Sequence, residues 1–166
     1  MNTLTVCRFG SPASAERAVE RLRRLAEDGE LAIGDAALVS WPTGARKPST
    51  RTLGTLTGPG ELWGGFWGVL LGLIFLAPIA GPAFGAAAGA FAGTLVDFGV
   101  DEEFVKQTRD HVTAGTSALF TLSDAAAADV LAARMCGPGM VVLRCRLDPD
   151  HEERLLAALG EEDVSA

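Results

Sequence analysis

The 166-residue chain carries 14 Lys plus Arg against 21 Asp plus Glu, for a formal net charge of -7 and a sequence pI near 4.8. A 48% hydrophobic fraction with 21% charged residues excludes intrinsic disorder, and the acidic balance argues against nucleic acid as a partner. Cys7, Cys136 and Cys145 are three in number and show no CxxC spacing, so they suggest neither a disulfide framework nor a zinc site and read as reduced thiols in a cytosolic domain.

Charge is unevenly distributed. Residues 1–56 carry 8 basic and 6 acidic side chains, residues 57–96 carry Glu61 alone, and residues 97–166 carry 6 basic and 14 acidic ones. This divides the chain into a first half at 1–56, an apolar segment at 57–100, a second half at 101–160 and a polar tail at 161–166. The start, Met1 to Val6, has no basic region followed by an apolar stretch, so no secretory signal is expected there.

In chain order, Thr3 to Phe9 is rich in β-formers and reads as a strand. Ser11-Pro12 supplies a cap and a proline for a helix in which Ala15, Ala18, Val19, Leu22, Leu25 and Ala26 recur at helical spacing. Gly29 ends that helix. Ala36 to Trp41 reads as a second strand, Pro42-Thr43-Gly44 as a turn, and Ser49 to Leu56 as a partner strand.

From Leu62 to Val96 there are 35 residues without a charge, and Thr94 is the one hydroxyl among them. Gly64, Gly68 and Gly72 recur every four residues, as do Gly81, Gly85, Gly89 and Gly93, which places each set along one stripe of a helix. Glycine weakens a helix by about 1 kcal/mol relative to alanine, so such stripes make sense where two helix backbones approach closely, as in a glycine zipper. Ala77-Pro78-Ile79-Ala80-Gly81-Pro82 breaks the run, giving a helical hairpin. Its arms would rise about 24 Å and about 22 Å, short of a bilayer core of about 30 Å. Both an inserted hairpin and one buried inside a soluble assembly fit. Trp63, Phe66 and Trp67 at the entrance suit an interfacial aromatic anchor and equally an oligomer core. Arg46, Lys47 and Arg51 would favour a cytosolic base for an inserted hairpin.

Beyond the apolar segment, Asp101-Glu102-Glu103 opens a short helix to about His111, with its carboxylates placed to suit the helix dipole. Ser117 to Leu122 then reads as a strand, Asp124 to Met135 as an alanine-rich helix, and Met140 to Leu147 as a strand. Asp148 caps a last short helix carrying Leu155, Leu156 and Leu159. Two βαβ units in one small chain predict an α+β fold: a ferredoxin-like split βαβ sandwich with the apolar hairpin inserted. Along the last strand Val141, Leu143, Cys145 and Leu147 share one face, which makes Cys145 a core residue, and Val142, Arg144 and Arg146 share the other. Leu4, Val6 and Arg8 also share a face. If the first and last strands pair, Arg8, Arg144 and Arg146 are expected on one side of the sheet, as an anion site or as salt bridges at an interface.

The run Gly64-Gly65-Phe66-Trp67-Gly68, then Leu70 to Pro78, the glycine and alanine helix, Asp97-Phe98-Gly99-Val100-Asp101-Glu102-Glu103-Phe104-Val105-Lys106 and Gly115-Thr116-Ser117-Ala118-Leu119-Phe120 together resemble a bacterial family, domain of unknown function 1269. The resemblance runs from Leu4 to about Leu159. It implies architecture and a membrane label that itself rests on hydropathy, and it implies no activity.

No GxGxxG, P-loop lysine, HExxH or GxSxG pattern occurs, and the glycines lie inside apolar helices where phosphate-binding glycines would follow a strand. Cys7, Cys136 or Cys145 with His111 or His151 announces no nucleophile pair. The expectation is therefore a non-enzymatic, self-assembling structural protein in envelope or stress physiology, with no cofactor and no metal. Its partners would be other copies of itself and, in one setting, membrane lipid. The uninterrupted apolar run Leu62 to Ile79 favours the membrane setting, in the bacterial inner membrane with the sandwich facing the cytoplasm; the alternative setting is a cytoplasmic ring, shell or filament. The alternative from another class is a regulatory module that binds a small anionic ligand or a protein tail at Arg8, Arg144 and Arg146.

Overall fold

The computed structural model describes residues 3–54, 67, 70–76, 100–135, 137 and 140–147. Five strands, β1 (Thr3–Phe9), β2 (Asp35–Ser40), β3 (Ser49–Gly54), β4 (Ser117–Ser123) and β5 (Val141–Arg146), form one sheet in the order β3-β2-β4-β1-β5. Every neighbouring pair is antiparallel. Three α-helices, α1 (Ser14–Glu27), α2 (Glu102–His111) and α3 (Ala125–Met135), and a π-helical turn at Gly72–Leu76 complete the described elements.

Strand periodicity explains how the core divides. Residues of β1 and β4 alternate between two faces, and both strands are buried because each lies inside the sheet. On one face Cys7, Phe9, Leu38 and Leu119 meet Ala15, Val19 and Leu22 of α1 and Leu131 and Met135 of α3. On the other, Leu4, Val6, Ala37, Val39, Phe120 and Leu122 meet Trp67, Leu70, Leu71, Ile74 and Phe75 of the apolar segment and Phe104 and Val105 of α2. The sheet is thus covered on both sides.

The helix ends show which local signals act. Asp101 caps α2, its carboxylate accepting from the Phe104 amide at 2.7 Å, and Asp124 accepts from Ala127 at 2.7 Å at the start of α3. Gly29 closes α1 at φ 74°, donating to Ala26 O. The expected cap at Ser11-Pro12 is corrected. Helix α1 begins at Ser14 behind Ala13, which makes no side-chain cap bond. Ser117 of β4 does that work across the fold, its hydroxyl accepting from the Ala15 amide at 3.0 Å and donating to Ser11 O at 2.6 Å. Pro12 O in turn accepts from Ser40 at 2.8 Å.

Strand β3 pairs with β2 as expected, with a register shift between Ala36 and Ala37. The expected last helix at Leu155, Leu156 and Leu159 lies outside the described residues.

The arginine arrangement also needs correcting. The β1 to β5 register sets Leu4 opposite Cys145, Thr5 opposite Arg144 and Thr3 opposite Arg146. Arg144 and Arg146 therefore share the α1/α3 side, and Arg8, which lies opposite Val141, stands on the other. Alternation within each strand was legible; the relative phase of the two strands was set only by their pairing.

Candidate functional site

The sequence assigns the apolar segment to other copies or to lipid, and its described part packs within the same chain. Trp67 is 1% exposed and meets Phe120 edge to face, with ring centroids 6.3 Å apart. Phe75 meets Phe120 at 6.4 Å and Trp41 at 6.1 Å, again edge to face. Such pairs are each worth about 0.5–1.5 kcal/mol beyond the area they bury. Trp41 fixes the far end of this row, its indole donating to Ala45 O at 2.9 Å. Gly115, at φ 88°, donates to Trp41 O at 2.7 Å, in a backbone conformation that a side chain would strain.

Of the three expected anchor aromatics, Trp67 is thus a core residue of its own domain, while Trp63 and Phe66 lie outside the described residues. Of the zipper glycines, Gly72 opens the π turn and is buried. Gly64, Gly68, Gly81, Gly85, Gly89 and Gly93 lie outside the described residues. Among the described residues, no helix is long and apolar enough to cross a membrane.

The π turn is held by a cation. Arg109 of α2 donates through Nε to Ile74 O at 2.9 Å and through Nη2 to Leu73 O at 3.0 Å. The sequence supplies the reason: Pro78 has no N–H, so neither an i→i−4 bond to Ile74 O nor an i→i−5 bond to Leu73 O can form from that position. The planar guanidinium reaches both adjacent carbonyls at once, as an ammonium could not. Beside this contact is a cavity of about 350 Å³, lined by Leu73, Val100, Asp101, Val105, Lys106 and Arg109 among others.

Asp35, at the start of β2, is buried on the same sheet face. Its carboxyl accepts from the Ala36 amide at 2.7 Å. Burial pushes its pKa up from 3.8, while the Ala36 amide and the Trp67 indole pull it down. Cys145 is buried as expected, and its thiol is pushed up to about 11, chiefly by burial, so it stays protonated at neutral pH. Cys7 is buried too, on the opposite face. Among the described residues no group of three or more His, Cys, Asp or Glu side chains could hold a metal.

Arg144 is engaged, donating to Asp129 at 2.6 Å and to Ala128 O at 3.0 Å, and so fastens β5 to α3. Arg146 is exposed on that same side. Arg8 is half-buried on the other, its Nε without a hydrogen-bond partner. The three form no common site.

Sequence reasoning passed over Asp35, Arg109 and Ser117. Only Arg109 had a usable signal: a proline closing an apolar helix leaves carbonyls that call for a donor from elsewhere in the chain.

A family model described as "Protein of unknown function (DUF1269)" matches residues 61–160, more than half of the chain. The match spans the apolar segment, α2, β4, α3 and β5. No curated protein and no solved structure matches the chain. The chain belongs to the DUF1269 family.

Proposed function

We propose that this member of the family is a non-enzymatic, self-assembling structural protein in which a ferredoxin-like domain carries a glycine-rich arm that packs against the arms of other copies. Strands β2-β4-β1-β5, with α1 and α3 on one face, have the order of a split βαβ sandwich, to which β3 adds an edge strand. What distinguishes this chain is the second face. There the start of the apolar segment is built into the domain core, and Arg109 holds the π turn that ends just before Pro78.

That anchoring is the observation that carries the proposal. In this reading the first part of the apolar segment is committed to its own domain, and the sequence stripe Gly81, Gly85, Gly89 and Gly93, with its flanking alanines, is what packs against other copies. Smooth helices of this kind gain little from lipid and much from one another, because small residues let backbones approach. An arm of about 22 Å is also short for a bilayer, which favours a cytoplasmic assembly over an inserted hairpin.

The test is to express the intact chain without detergent, separate membranes by flotation and measure the mass of the soluble remainder, alongside a variant with Gly85→Leu and Gly89→Leu. A large detergent-free particle that falls to single chains in the variant is the expected result. An unchanged particle in the variant removes the zipper, and recovery solely with floated lipid replaces the soluble setting with an inserted one.

The anion-binding alternative depends on Arg8, Arg144 and Arg146 acting together. With Arg144 committed to Asp129 and Arg8 on the opposite face, no observation favours it.

A further inference from the structure

Asp35 opens β2 on the sheet face that the apolar segment covers, and it is 2% exposed. Its row on the sheet runs through Leu122 of β4 and Leu4 of β1 to Cys145 of β5, a neutral thiol two strands beyond Leu122. Over it lies Trp67 of the apolar segment, whose indole favours the ionised carboxyl less than burial disfavours it. Among the described residues no cation pairs with it. Helix α2, packed on the same face, turns Phe104, Val105 and Thr108 inward, and its Glu102, Glu103, Lys106 and Asp110 are exposed. Arg109 is committed to Leu73 O and Ile74 O, and the Asp101 carboxylate to the Phe104 amide. Arg8 sits at the other end of the face, in the row of Ala118 and Val39, and Arg51 of β3 pairs with Glu16 on the opposite side.

A carboxylate buried without a cation is costly in its charged form and tolerable in its neutral form. Over it lies the segment whose remainder is proposed above to join copies together. We propose that Asp35 is a proton-operated latch: neutral, it keeps Trp67 closed over the sheet, and ionised, it favours release of the segment's sheet-covering side. The latch regulates the element used in the assembly proposal and to that extent rests on it. Release adds Trp67, Leu70, Leu71, Ile74 and Phe75 to the apolar surface that another copy can cover.

The sign follows from linkage. The carboxyl titrates higher in the closed state than in the open one, so closure is strongest at low pH and weakens as pH rises through the closed-state value. Hydrogen exchange measured by mass spectrometry on the full chain reads this directly, after correction for intrinsic exchange, with Leu70–Leu76 as the reporter and Ser117–Ser123 as the control. Protection of the reporter is expected to fall by up to about tenfold per pH unit from about pH 4 to the closed-state value and then to level off. In Asp35→Asn the reporter is expected to be flat with pH, and in Asp35→Glu the slope is expected to persist. A flat wild-type profile, or the same slope in Asp35→Asn, overturns the latch. If Asp35→Asn loses protection in the control segment too, the wild type decides: a slope in the reporter alone supports the latch, and parallel slopes in both segments overturn it. Because exchange is read on the segment itself and assembly by particle mass, failure of the latch is distinguishable from failure of the zipper.

Discussion

Leu119 and Phe120 are neighbours on β4 and face opposite sides of the same sheet, and the two sides are built by different means. Beneath Leu119 lie two amphipathic or alanine-rich helices that present their apolar stripes in the usual way. Beneath Phe120 lie α2 and a segment that is apolar all round, so no stripe in the sequence says which of its sides meets the sheet. On the first side the hydrophobic pattern says which faces of the helices meet the sheet, with Ser117 and Arg144 fastening them. On the second, packing is directed by fixed polar points: Arg109 at the π turn and Asp35 under Trp67. An apolar segment without periodicity needs such points to have one preferred seat.

The most severe way to break the comparison is at Phe120 itself. Replacing Phe120 by alanine removes the ring that both Trp67 and Phe75 contact, and about 3–5 kcal/mol of stability is expected to be lost in urea unfolding. Hydrogen exchange in Leu70–Leu76 should rise more than in α1. Leu119→Ala should cost about 2–5 kcal/mol and show the reverse bias toward α1 and α3. Equal loosening of both faces by each variant would mean that the two sides are not separable.

Next comes Arg109→Met, which keeps most of the aliphatic stem and removes both donors to Leu73 O and Ile74 O. A loss of about 2–3 kcal/mol is expected, with Arg109→Lys recovering about half, because an ammonium lacks the fork that meets two adjacent carbonyls. Full recovery by lysine would reduce the contact to simple charge.

Ser117→Ala tests the helix-covered side at a polar contact between β4 and the start of α1. Loss of the hydroxyl leaves the Ala15 amide without its cap and should cost about 1–2 kcal/mol, read as a lower thermal midpoint with most of the added exchange in the first turn of α1. The smallest effect belongs to Arg144→Ala. The pair with Asp129 has side chains 39% and 73% exposed, so a change below about 1 kcal/mol is expected, shrinking further in salt.

What the sequence made legible follows the same division. Strands β1, β2, β4 and β5 and helices α1, α2 and α3 could be read from period and caps, within a residue or two at most ends. The β3 partner strand was legible from the turn at Pro42-Thr43-Gly44 and the β-formers that follow. Three features were not legible, for one physical reason: each depends on residues distant in sequence. The phase between β1 and β5 separates Arg8 from Arg144 and Arg146, yet alternation within a strand carries no information about its neighbour's register. The cap of α1 comes from Ser117, more than a hundred residues beyond the helix start. Trp67 has the composition of a lipid anchor and the position of a core residue, and hydropathy does not separate the two.

The account rests most directly on where Trp67 lies, and one measurement tests that. In a variant with Trp41→Phe and Trp63→Phe, Trp67 is the sole indole, and its fluorescence can be challenged with acrylamide in lipid-free buffer and with brominated lipid in vesicles. Burial against Phe120 gives shielding from both quenchers, and that is the expected result. Ready quenching by acrylamide without lipid, or by the brominated lipid once vesicles are present, would contradict a segment seated on its own sheet.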